Sequence, residues 1–136
     1  MKKLLWLDDY RDPMEGQWLV FSPITLEDLE VYWVKSYQQF IDWIVINGLP
    51  EAICFDHDLG LEVAFEARSK GMSKRKSRLL KKEEKTGYDA AKWLVDYCMD
   101  NNKKLPLYNI QSANPVGKEN IDKLLKNFIE KYEHTN

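Results

Sequence analysis

Three short polar clusters in this chain have the residue types for chemistry, and each follows an apolar run. Asp8-Asp9 follows Lys3–Leu7, Asp56-His57-Asp58 follows Ala52–Phe55, and Ser112-Ala113-Asn114 follows Leu105–Ile110. If the runs are strands of one parallel sheet, all three clusters converge on its carboxyl edge, where open α/β sheets bind their ligands. Asp8, Asp9, Asp56 and Asp58 would then be crowded into one pocket, where their charges repel, so they either take up protons or bind a cation. A hard divalent ion, Mg²⁺ or Mn²⁺, resolves that conflict and keeps coordination positions open for a phosphate. Ser112 and Asn114 open a helix whose first N–H groups can hold phosphate oxygens. His57 carries an imidazole that could shuttle a proton. Arg11, just beyond the acidic pair, is either a phosphate clamp or an ion-pair partner that relieves the repulsion.

Each of these residues also has a plain structural reading. Asp pairs form turns, and Asn114-Pro115 is a good helix start by itself. Thr86 and Asp89 fit a capping box. Alternation along a strand could turn His57 away from the aspartates beside it. His134 lies in a polar tail and has no part in the site. What favours a pocket is that acids end two separate strands in the same way.

The elements that must position these residues follow from periodicity. Lys3–Leu7 is a buried strand stopped by Asp8-Asp9 and the turn signal Asp12-Pro13. Residues 14–30 show no clean period and are expected to be an irregular connection. Val31–Val34 is β-branched and aromatic, a second strand. Ser36 then caps a helix with Tyr37, Phe40, Ile41 and Ile44 on one face, stopped by Asn47-Gly48 before Pro50. Ala52–Phe55 is the third strand. A helix runs from the Thr86 cap to about Met99, with Ala91, Leu94, Val95 and Cys98 inward. Leu105–Ile110 is the fourth strand, and the last helix carries Ile121, Leu124, Leu125, Phe128, Ile129 and Tyr132 on one side. Strands alternating with helices imply right-handed crossovers and a mostly parallel sheet with helices on both faces.

With 136 residues, 44% hydrophobic and 12% aromatic, the chain reads as a single domain, 1–136, able to enclose one core. No apolar run reaches the length of a membrane span and no export signal is visible, so a cytoplasmic, non-membrane protein is expected. Cys54 and Cys98 sit in apolar stretches without partners at metal-ligand spacing, so they read as core. The net charge of −2 argues against wholesale polyanion binding. An exception is the basic insertion at about 62–85, which leaves from the Asp58 end of strand three. It reads as a solvated spacer or as a lid able to close on a polyphosphate or RNA end. Trp18, in the irregular connection, is the one tryptophan outside an expected core element.

An apolar strand ending in Asp-Asp, a third ending in Asp and a fourth ending in a hydroxyl residue resemble the response-regulator receiver domain. Over nearly the whole chain, LDDYRDP, FDHDLG, TGYDAAKWL and SANPVG more closely resemble its divergent relative, the cyclic-phosphate processing receiver domain. The resemblance implies a receiver-like (flavodoxin-like) α/β three-layer sandwich. Its mainly parallel sheet would have about four strands and lack the last strand–helix unit, whose strand ends in a phosphate-binding Lys in receivers. It implies Mg²⁺ held by Asp8 or Asp9 and Asp56, with Ser112 contacting phosphate. For the cyclic-phosphate branch it implies binding or opening of a cyclic phosphate on a nucleotide or RNA end. Asp56, His57 and Asp58 would then be catalytic, with metal ligands from Asp8, Asp9, Asp56 and Asp58 and substrate contacts from Arg11, Ser112 and Asn114. The alternatives are a receiver-like module that binds metal and phosphate, or a protein partner, without turnover, and a phosphoacceptor using Asp56. Many family members place a His just before the Ser; this chain has Gln111 there, which speaks against a two-histidine mechanism.

Overall fold

The two central strands of this chain are built on runs that are apolar on every residue, Leu4–Leu7 and Ala52–Phe55. Such runs suit strands covered on both faces. In the computed structural model, which describes residues 1–59, 67–83 and 85–133, four strands form one parallel sheet. They are β1 (Lys2–Leu7), β2 (Leu29–Val34), β3 (Ala52–Phe55) and β4 (Leu107–Ile110), in the order β2-β1-β3-β4. Leu4 to Leu7 and Ala52 to Phe55 are all fully buried, as befits the two central strands. The register pairs Trp6 with Cys54 and Leu7 with Phe55, then Phe55 with Ile110. β4 starts two residues later than its apolar run suggests. Pro106 has no N–H to give the ladder, and the first bond is Leu107 N–H to the Glu51 carbonyl at 3.2 Å.

The helices are α1 (Tyr37–Asn47), α2 (Lys74–Glu83), α3 (Gly87–Asp100) and α4 (Pro115–Phe128), the last running on into a π-helical turn at Ile129–Glu133. Their starts are the ones the capping residues specify. Ser36 accepts from the Gln39 N–H, and Thr86 and Asp89 form a reciprocal capping box. Asn114 caps α4 with Pro115 in its first turn. Gly48, at φ 82, ends α1 in the left-handed region that a side chain resists.

The two faces of the sheet are covered differently. Leu5, Leu7, Ile53, Phe55 and Ile110 pack against Phe40 and Ile44 of α1, Ala90, Ala91 and Leu94 of α3, and Ile121 and Leu125 of α4. Leu4, Trp6, Ala52 and Cys54 face the other way, under Leu19, Phe21 and Ile24. This is the segment with no clean period. Among the described residues the third layer is therefore a 3-10 turn, Trp18–Phe21, flanked by turns and bends, rather than a helix. The segment is held by side-chain bonds to its backbone. The Phe21 carbonyl accepts from Asn109 Nδ2 at 2.8 Å, and Trp6 Nε1 donates to the Arg11 carbonyl at 3.0 Å. Cys54 and Cys98 are buried thiols outside any disulfide. Burial pushes the Cys54 thiol up to about 12.

Candidate metal centre at the carboxyl edge

The ladder continues one residue beyond β1 and β3. Asp8 N–H donates to the Val34 carbonyl, Asp56 N–H to Leu7 and Gln111 N–H to Phe55, at 3.1, 2.9 and 2.9 Å. With the register above, this sets Asp8, Asp56 and Gln111 side by side in one row across three strands. They fall on the face of Trp6 and Cys54, because successive residues alternate. Asp8, Asp9 and Asp56 are all buried, and each offers a carboxylate oxygen within 4.8 Å of the others.

Asp8 is held hard in place. Its Oδ1 accepts from the N–H groups of Tyr10 and Arg11, both at 2.9 Å, and its Oδ2 accepts from Arg11 Nη1 at 3.0 Å. Its carbonyl accepts from Trp33 Nε1 at 2.6 Å. The Arg11 guanidinium also lies 3.8 Å from Asp56 Oδ1 and over the Trp18 ring, 5.3 Å from its centroid. Arg11 is thus an ion-pair partner of the acids, and Trp18 is the surface it stacks on. Burial first, then the charges of Asp8, Asp9 and Asp58, outweigh Arg11 and push Asp56 up to about 7. Three buried hard oxygen donors crowded this closely fit a divalent cation.

The other expected site residues gather a short way off. Asp58 is not one of the clustered carboxylates: its Oδ1 meets His57 Nδ1 at 2.8 Å and Asn114 Nδ2 at 3.5 Å. His57 turns its ring onto the first turn of α4, so close that a Cβ on Gly117 would lie 2.3 Å from the ring. Asn114 accepts from the Gly117 N–H at 3.0 Å, and Ser112 Oγ accepts from the Asn114 N–H at 3.1 Å. The edge therefore carries two adjoining groups, an acidic trio with Arg11 and a His57–Asp58–Asn114 chain at the α4 N-terminus. Of the basic insertion, residues 62–66 and 84 lie outside the described residues, and α2 forms its larger described part.

Three residues matter here that residue chemistry alone did not single out. Gly87 donates its N–H to the His57 carbonyl at 2.8 Å, and a Cβ on it would lie 1.8 Å from the Asp56 carbonyl oxygen. Gly117 makes room for His57, and Gln111 completes the row. For the glycines the signal was present in TGYD and NPVG, as glycine in the first turn of a helix, where it costs stability and needs a reason. A separate cleft of about 420 Å³, lined by Met99, Lys103, Lys104 and Phe128, lies toward the amino edge of the sheet, away from this chemistry.

A four-stranded parallel sheet ordered 2-1-3-4, with acids at the ends of its two central strands, defines a receiver-like α/β domain. Residues 3–127 match the model of the cyclic-phosphate processing receiver domain, and the chain belongs to that family. No curated protein and no solved structure gives a significant match. No described helix is long and apolar enough to cross a membrane.

Proposed function

We propose that the chain is a divalent-metal-dependent phosphoesterase acting in the cytoplasm on a cyclic phosphate of a nucleotide or RNA end. What supports this reading is the buried trio Asp8, Asp9 and Asp56, with oxygens within 4.8 Å of one another and Arg11 paired to Asp8 and Asp56. Asp8, Asp9 and Asp56 would hold Mg²⁺ or Mn²⁺, which would supply neutralisation of phosphate charge at a strained ester. Asp58 accepts from His57 Nδ1 and so fixes the imidazole tautomer with Nε2 as the basic nitrogen. From there His57 takes a proton from the attacking group or returns one to the leaving oxygen. Asp58 serves as orienter, and its carboxylate extends the acidic rim. Ser112, Asn114 and the first N–H groups of α4 hold the phosphate oxygens. Arg11 shares its charge between the acids and the bound phosphate.

The test is turnover of cyclic mononucleotides, cyclic dinucleotides and RNA with a 2′,3′-cyclic end, with Mg²⁺ or Mn²⁺, beside Asp56→Asn. A phosphate product that vanishes with chelator and in the variant is expected. Metal-dependent binding of one of these ligands without any product would instead make the domain a phosphate-sensing module, with or without a protein partner.

A further inference from the structure

Gln111 occupies the row of Asp8 and Asp56 but has no part in the chemistry assigned above. It is 5% exposed. Its backbone extends the β3–β4 ladder, and its side chain reaches across the end of β3 to β1, where Nε2 donates to the Leu7 carbonyl at 3.1 Å. That same carbonyl accepts from the Asp56 N–H, and Leu7 is the residue before Asp8. The amide therefore lies along the backbone that carries the two aspartates. The contact also fixes which way the amide faces, since a flipped group would set oxygen against oxygen.

Oε1 of this amide is buried and has no hydrogen-bond partner among the described residues. A buried acceptor left unpaired is costly, so it calls for an explanation. Ionised carboxylates are acceptors too and cannot satisfy it. A hydrated divalent cation can, because Mg²⁺ keeps several of its waters when bound by a few carboxylates, and their protons need acceptors.

We propose that Gln111 is a positioning residue of the cation site, its Oε1 accepting from the hydration shell of a divalent ion held by Asp8, Asp9 and Asp56. The proposal rests on the cation reading above and adds a neutral oxygen, set by β4, to the three charged ones. That oxygen orients the shell without adding to the repulsion among the carboxylates. Replacing Gln111 by a residue of similar bulk without the acceptor weakens Mg²⁺ binding about tenfold, the usual effect of one lost hydrogen bond in such a site.

The experiment is a Mg²⁺ titration at pH 8 of the full chain, reading the side-chain carbonyl ¹³C shift of Gln111 and the carboxylate ¹³C shifts of Asp8 and Asp56. Calorimetry on Gln111→Leu and Gln111→Met runs beside it. Expected are saturable shifts at all three residues with one shared Kd, about tenfold weaker binding in the variants, and thermal midpoints of the metal-free variants close to wild type. A merely structural Gln111 would lower those midpoints and leave the affinity alone. Carboxylate shifts with a stationary Gln111 carbonyl, or with unchanged affinity in a folded variant, would overturn the role of Gln111 and leave the cation site standing. If no carboxylate moves, the cation reading fails and this inference fails with it. The wild-type shifts decide the matter even if neither variant folds.

Discussion

At the scale of single residues, the site is a conflict of charge that folding creates and a bound cation would relieve. Asp56 is the focus, since burial and its acidic neighbours raise it from the ordinary carboxylate range to about 7. The sign follows from linkage: the folded state binds this proton more tightly than the unfolded one. Its contribution to stability is therefore full below about pH 4 and is lost as pH rises through about 7. Removing the charge should help the metal-free protein. Asp56→Asn is expected to raise the thermal midpoint at pH 8 by several degrees while abolishing Mg²⁺ binding, read by thermal unfolding with and without Mg²⁺. A cation must displace the same proton, so the wild-type affinity for Mg²⁺ should rise about tenfold between pH 6 and pH 8, measurable by calorimetry. An affinity flat across that range would mean that Asp56 is not a ligand.

At the scale of elements, the site depends on how closely helix starts approach strand ends. The α3 N-terminus sits on the Asp56–His57 backbone through Gly87, and α4 sits on the His57 ring through Gly117. Gly87→Ala would drive a Cβ into a backbone carbonyl that has no flexible end to yield. It is expected to cost about 2 kcal/mol or more in denaturant unfolding. Thr86→Ala removes only the cap and should cost about 1 kcal/mol, with the metal site intact. These close approaches explain what could be read in the sequence and what could not. The central strands were legible because burial on both faces leaves Leu4–Leu7 and Ala52–Phe55 apolar throughout, and the caps were legible because Ser36, Thr86 and Asn114 act within one turn. The part played by Gly87, Gly117 and Gln111 was not, because it arises from strand register and from contacts between segments far apart in the chain. The irregular cover over Trp6 and Cys54 was missed as a layer for the same reason. It is tied down by distant partners such as Asn109, without any period of its own.

At the scale of the whole molecule, the sheet order 2-1-3-4 brings the ends of β1, β3 and β4 next to one another, so residues 8, 56 and 111 share a row although they are far apart in sequence. One face of the sheet is built on helices and the other on a strap that ends near Arg11, so the acidic trio lies where the two layers meet. Ligand binding there should be felt globally. A cation that binds only the folded state stabilises it by mass action, and saturating Mg²⁺ should raise the thermal midpoint of the wild type but not of Asp56→Asn. The most direct test of the central claim, that the carboxyl edge is a divalent-cation site, is the stoichiometry of Mn²⁺ binding by equilibrium titration of the wild type and of Asp8→Asn and Asp56→Asn. One saturable Mn²⁺ per chain is expected in the wild type and none in either variant; no saturable binding in the wild type, or equal binding in all three proteins, would rule a divalent-cation site out.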